Sequence, residues 1–568
     1  MSCFACCDSG VRASSYWSLI PHEKKEAEIQ AEKWVFVVPY GPGKYCLPLC
    51  TVPFKRWMLF LAAFVAQFCN GSLYAWSILN PYIDNYMQNK TAASSIAADQ
   101  NAVVTFYVAA GFLGFASAIF GPFVERQGPR ASIILAVCLF LIGHGLSSVS
   151  LHLKSYVGLY VSYGVFCGTA FGITYAAPVS ALQKWFPDLR GTAGGFGVCG
   201  FGLGAAIWGN IYKPLIKSIN IDWFFLAFGC IMSSILLICS FVLRTPPPGY
   251  IVGGRNVHGV KVTPALLQSP NADFTHESAS TNRNCDRVST VLEDHRVVDY
   301  VKVFDYQEQE LGEAEILYHN KIKNLRIREC AFSIDFICLY FVFLGSTATG
   351  IIFMSRVYSI GQNVYKQSDD KSLTRLVMLL AVCNFLGRML CPIISDILIR
   401  IGQLNPAFGR KLLIAILLLV QVVVLVLLRT LIQDPNGFNA FQAVLFFLTF
   451  SYGGVIGVIP SLLTDMYGIY NTGTMHGIIL TAWSICAVGG GLTFQHFFLS
   501  IKGHPPIDGV REAEIQAYMF NFQWLLGLVI LGCALLPLVR TNPVDRFFPG
   551  YQYSLFGRPI IRIVKNDY

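Results

Sequence analysis

The chain has 568 residues, 54% hydrophobic and only 13% charged, with a mean hydropathy of +0.52. Those values exclude an ordinary soluble domain, in which about a quarter of residues are charged. The net charge of +9 does not point to nucleic acid, because the basic residues gather in the connections on one side of the apolar runs.

Residues 1–56 read as a polar head. Cys3, Cys6 and Cys7 cluster near its start, where S-palmitoylation is one possible use. The charged piece around Glu23–Lys33 suits a short surface helix, and Lys55 and Arg56 directly precede the first apolar run. The first fifty residues show no cleavable-signal pattern, so the first span is expected to act as its own insertion signal.

Apolar runs of about twenty residues, the length that crosses a bilayer, predict twelve spans. The first six lie at about 57–80, 101–123, 130–150, 156–178, 191–213 and 222–243. The second six lie at about 331–355, 373–397, 411–432, 438–460, 473–498 and 517–540. The expected fold is an all-α membrane protein with two pseudo-symmetric six-helix bundles, 57–243 and 331–540. A polar linker, 244–330, joins them and is expected to be partly disordered, with a short helix near 310–328. Residues 541–568 form a tail, in which Tyr553-Ser-Leu-Phe556 has the form of a tyrosine-based sorting signal.

Charge counting predicts that both termini are cytosolic. The segments on their side hold 30 of the 42 lysines and arginines, and the opposite segments hold 11. Asn89-Lys-Thr91 is then an external glycosylation sequon at Asn89. The 18 cysteines, mostly inside spans, show neither metal nor disulfide spacing, and no cofactor is implied. No nucleotide-binding loop or hydrolytic triad is present, so the chain is expected not to be an enzyme.

The remaining basic residue is Arg388, in the eighth span within Asn384-Phe-Leu-Gly-Arg388-Met-Leu-Cys-Pro-Ile-Ile-Ser-Asp396. A guanidinium keeps its charge and is costly at membrane depth. Either it awaits an anionic substrate, or it pairs with Asp396 or caps backbone carbonyls. Aromatic candidates for the rest of a pocket are Tyr74 and Trp76 in the first span, Tyr175 in the fourth and Tyr452 in the tenth. His144 and His476 are the histidines within spans that could titrate, although a lone intramembrane histidine often only bonds a carbonyl.

Several stretches carry a family resemblance. Gly121-Pro-Phe-Val-Glu125-Arg126-Gln-Gly128-Pro-Arg130 resembles the signature loop of the major facilitator superfamily, with Glu125 where Asp is usual. Asp396 follows Pro392 by four residues at the equivalent place in the second half. These charges suit a latch that meets helix dipoles and opens and closes one face. Lys184-Trp-Phe-Pro-Asp-Leu-Arg190-Gly191 with the glycine-rich fifth span, Asn70-Gly-Ser-Leu-Tyr74-Ala-Trp76-Ser77, Pro246-Pro-Pro-Gly-Tyr250 and Gly387-Arg388 with Ser395-Asp396 together resemble the oxalate/formate antiporter family, akin to monocarboxylate transporters.

The resemblance implies alternating access by rocking of two halves about a central site. It further implies that Arg388 binds a substrate carboxylate, with Asn384 one turn away where related transporters carry Asp. Trp483 stands where dicarboxylate-handling members carry a lysine, so one fixed charge suggests a monocarboxylate of the lactate, pyruvate or formate type. The expected unit is monomeric, in the plasma membrane, with a co-transported proton left open. Another small metabolite, such as an amino acid, or a non-transporting sensor role are the rival readings.

Overall fold

The computed structural model describes residues 24, 26–41, 44–46, 52–88, 101–259, 322, 325–367, 370–502, 510–548, 550–555 and 558–564. Cys3, Cys6, Cys7, Asn89, Phe556 and most of the linker lie outside these residues.

Among the described residues, ten helical stretches are long and apolar enough to cross a membrane. Two of them, Ala102–His152 and Arg190–Val242, are 51 and 53 residues long. Each is broken at one residue with positive φ, Gly128 (φ 80°) and Asn220 (φ 61°), and so supplies two limbs of spanning length. The twelve predicted runs map onto these limbs and the eight other stretches. The predicted loops between runs two and three, and five and six, shrink to a single turn. Glycine at 128 adopts this backbone without a Cβ clash.

Several ends run past the predicted limits. The helix of the fourth predicted run ends at Trp185, that of the eighth at Ile401 and that of the tenth at Tyr467. Polar contacts to the opposite half accompany two of these ends, where Arg400 donates to the Asp188 carbonyl and Asp465 pairs with Arg190. The outer flanks are apolar and exposed, as along Leu419, Val423 and Val426 of Pro406–Leu431, a face suited to lipid.

Glycine decides how closely the helices approach. In a bilayer, where lipid is as apolar as leucine, small residues drive helix association by letting backbones touch. The fifth span, the first limb of Arg190–Val242, has two such faces. Gly200 and Gly204 lie against the carbonyls of Phe64 and Phe68 in the first span, within the same half. Gly191 and Gly195 lie against Asp396 and the Arg388 carbonyl in the other half. Gly121 meets Thr474 in the same way, since a Cβ there would sit 2.7 Å from the Thr474 Cα. The helix Thr472–Ile485 thus packs against Ala102–His152, and Asp370–Ile401 packs against Arg190–Val242. These two contacts hold the halves together and frame the space between them.

The linker does not begin as a free segment. Tyr250 stacks edge-on against Trp185 at 4.8 Å, and His258 meets the Tyr470 ring at 5.0 Å. In the tail, Gly550–Leu555 pairs antiparallel with Arg558–Val564. Tyr553 and Ser554 belong to this hairpin, with the Ser554 amide donating to Asp545 Oδ2 at 2.9 Å. The tetrapeptide's first three residues are thus strand residues, and its fourth, Phe556, lies outside the described residues.

Candidate central anion site and latch

Arg388 sits on the long helix Asp370–Ile401 and is 1% exposed. Its Nε donates to Asn384 Oδ1 at 2.9 Å, one turn earlier, and its Nη1 donates to the Val198 carbonyl at 3.2 Å. The guanidinium also lies 5.3 Å from the Phe201 ring centre. No carboxylate among the described residues forms an ion pair with it. Asp396, the intramolecular partner considered for it, is held elsewhere.

The Arg388 guanidinium borders a narrow cleft between the halves, about 10 Å³ in volume, roughly the room one water needs. Tyr74, Tyr175 and Phe201 line it from one half, and Leu480 and Trp483 from the other. Leu113 and Ile456 complete the wall. Tyr74 belongs to a 3₁₀ turn, Gly71–Ala75, that interrupts the first span. That turn places its hydroxyl 2.9 Å from the Tyr452 hydroxyl across the interface. Tyr452 also accepts from Trp483 Nε1 at 3.1 Å. The lining thus offers one permanent cation, phenolic hydroxyls and an apolar floor, a combination suited to a small anion with an apolar end.

Of the residues singled out from sequence, Arg388, Tyr74, Tyr175 and Trp483 meet at this cavity. Tyr452 joins through its hydrogen bonds. Asn384 is fully buried beside Arg388, and its amide nitrogen donates to the Thr449 carbonyl at 3.4 Å. It orients the guanidinium and is absent from the cavity lining. Trp76 departs from expectation. Its indole donates to the Ala102 carbonyl at 3.0 Å and packs on Tyr163 at 4.3 Å, inside one half and away from the cavity. Two positions apart on a helical segment, the two side chains project to opposite faces, which separates them.

His144 packs among Phe140, Tyr163 and Phe228, its Nδ1 2.9 Å from the Phe140 carbonyl, as a structural histidine. Phe201, Leu480 and Val198 were not singled out from sequence. The glycine pattern of the fifth span was the available signal for Phe201 and Val198, because it brings that backbone onto the eighth span.

At one end of the bundle, two acids cap helices of the opposite half. Glu125 Oε1 accepts from Ser180 Oγ and from the Gly473 amide, each at 2.8 Å, and its other oxygen pairs with Lys184. Gly473 opens the helix Thr472–Ile485, so the carboxylate meets the positive end of that dipole. Asp396 does the same for Arg190–Val242. It accepts from the Gly191 amide at 2.9 Å and from the Thr192 amide at 2.7 Å. Arg410 bridges Asp396 at 3.1 Å and Asp465 at 2.6 Å, and Arg190 reaches Asp465 at 3.1 Å. Asp465 is the member that sequence reading passed over. Arg130 donates to the carbonyls of Ser240 and Phe241 at 3.3 and 3.4 Å, bracing its own half. Arg126 also sits on this charged segment, and Gly128 supplies its bend.

A central cavity framed by two mutually capped halves of membrane-length helices fits a membrane carrier. The Major Facilitator Superfamily family model matches residues 52–491, and the chain belongs to that superfamily. It is a transporter and a multi-pass membrane protein, and its family carries small molecules rather than transforming them.

Among relatives, it is 21% identical over 433 residues to "Uncharacterized MFS-type transporter YhjX" of Escherichia coli, covering 76% of this chain and 86% of that one. It is 29% identical over 195 residues to the oxalate:formate antiporter of Oxalobacter formigenes, covering 34% and 43%. It is 28% identical over 190 residues to monocarboxylate transporter 9 of Rattus norvegicus, covering 33% and 35%. The fold resembles the human organic anion transporter MFSD10, with TM-score 0.52 and 12% identity, over 85% of this chain and 99% of that one. It also resembles the proton:xylose symporter XylE, with TM-score 0.56 and 13% identity, over 86% and 97%.

Proposed function

We propose that the protein carries small monocarboxylates, such as lactate, pyruvate or formate, by rocking its two halves about the cavity at Arg388. The observation that carries this is a fully buried arginine whose hydrogen-bond partners are all neutral. A charge held that way is costly unless a mobile counter-charge visits it. An arriving carboxylate supplies that charge and presents two oxygens to a planar donor fork. Tyr74 and Tyr175 then orient the carboxylate, while Phe201, Leu480 and Trp483 hold a short apolar tail. With one cation in the lining and Trp483 opposite it, the site favours one carboxylate over two. The partial likeness to the oxalate:formate antiporter and to monocarboxylate transporter 9 agrees with a carboxylate guest.

In this reading the Glu125 and Asp396 caps close the cytosolic face, both termini lie in the cytosol, and the plasma membrane is the working location. The transport unit is one chain. Counterflow of labelled lactate, pyruvate, formate and oxalate in proteoliposomes tests the proposal. Monocarboxylates should exchange faster than oxalate, and Arg388→Ala, inserted at normal levels, should lower exchange at least tenfold. Normal exchange by that variant rejects the site.

A further inference from the structure

His476 lies on Thr472–Ile485, one turn from Leu480 and two from Trp483, on the helix stripe that lines the cavity. It is 1% exposed, and its Nδ1 is buried with no hydrogen-bond partner. Its ring stands 5.7 Å from that of Tyr175, which lines the same cavity as Arg388. One turn the other way, Gly473 holds Glu125 of the latch. An unpartnered imidazole therefore sits between the anion cavity and the latch, in contact with a residue of the former.

Ionisable groups on the elements packed against it are engaged elsewhere. Glu125 pairs with Lys184, Tyr340 bonds Thr481, Tyr452 bonds Tyr74, Asp335 pairs with Arg540 and Asp465 pairs with Arg410. Glu329, on the short helix Ile327–Ala331, is taken up in that helix's own cap. Tyr175 is the group in ring contact.

We infer that His476 is the proton site that couples to the anion, taking up one proton when a carboxylate occupies Arg388 and releasing it with that carboxylate. This rests on the anion reading proposed above. With the cavity empty, protonating the ring would add a second positive charge next to Tyr175, itself beside the unpaired guanidinium, and like charges in one buried site disfavour each other. With a carboxylate bound, the guanidinium is neutralised and the imidazole can hold a proton. The coupling is reciprocal, so the proton also strengthens anion binding. Charge balances over the cycle. The moving site carries one positive charge when empty, on Arg388, and one when loaded, because Arg388, the anion and the imidazolium sum to the same value. One anion and one proton therefore cross together, and no net charge is moved.

The test uses the full chain in proteoliposomes with labelled pyruvate, and protein-free vesicles correct for passive acid entry. Wild type should accumulate pyruvate when the outside is acidic. At saturating pyruvate on both sides, His476→Gln should keep anion–anion counterflow within about threefold of wild type, and it should lose at least tenfold of the gradient-driven accumulation. Its net uptake should also become sensitive to membrane potential. Full gradient-driven accumulation in His476→Gln overturns the proposal, as does a wild type indifferent to the gradient. Loss of counterflow in both His476→Gln and His476→Asn assigns the ring to packing and overturns it too. Absence of counterflow in wild type instead rejects the anion-carrier reading itself.

Discussion

At the scale of single residues, the difference between asparagine and aspartate one turn before Arg388 sets the charge of the cavity. Asn384 Oδ1 accepts from Arg388 Nε at 2.9 Å without cancelling its charge, so the guanidinium stays available to a guest. Asn384→Asp would place a carboxylate at that distance. Attraction in a medium of low dielectric is strong enough for the new acid to compete with any carboxylate substrate. We expect anion affinity to fall about tenfold or more at neutral pH, equivalent to about 1.4 kcal/mol. The loss should reverse as pH falls, because protonating the introduced acid frees Arg388. Saturation curves for pyruvate uptake at several pH values check this. A variant with unchanged affinity at neutral pH would show that the guest does not rely on that guanidinium.

At the scale of elements, the two cross-half contacts combine close glycine packing with acid caps. A Cβ at Gly195 would lie 2.8 Å from the Arg388 carbonyl, a backbone atom that cannot step aside cheaply. Gly195→Ala should destabilise the protein by about 1–3 kcal/mol, the usual cost of overpacking. It should also slow transport, read as a lower melting temperature together with a lower maximal rate. Glu125→Gln acts differently. It leaves the buried Lys184 ammonium without its counter-ion and weakens the cap on Gly473. Removing one partner of a buried pair costs about 3–5 kcal/mol, but Glu125 and Lys184 share one half, so it is the weakened cap on Gly473 that bears on the latched state. The halves should part at that end. Cys199, buried on the fifth span near Arg388, should then react faster with a membrane-impermeant thiol reagent, and Cys199→Ser supplies the background.

At the scale of the whole molecule, the polar segments dock on the bundle. Arg244, just past the sixth span, donates to the carbonyls of Glu32, Trp34 and Val35 at 2.5, 3.1 and 3.2 Å, and lies 4.3 Å from the Phe54 ring. One guanidinium therefore ties the head to the first half. Arg190 spans two such roles, bonding Asp465 in the second half and the Val257 carbonyl of the linker. The linker's first residues consequently lie over the latched end. Arg244→Met should release the head, and limited proteolysis should cut near residues 33–37 faster than in wild type while the bundle core stays intact. Equal cleavage rates would show that other contacts hold the head.

Much of this was legible in the chain. Apolar run length dictates helices, because a bilayer core leaves no water to satisfy a free backbone. A lone arginine in such a run announces itself by its cost, and Gly121, Glu125 and Asp396 announce an end-of-helix cluster by their spacing. Tertiary structure alone decided which groups share a space. Which face meets the other half put Tyr74 at the cavity and left Trp76, two residues on and so on the opposite helix face, inside its own half. Tertiary structure also decided that Asp396 caps Gly191 and Thr192 of the other half and leaves Arg388 unpaired. Periodicity along one helix cannot report those choices, since they depend on how closely a neighbouring backbone approaches, and glycines on both sides set that distance.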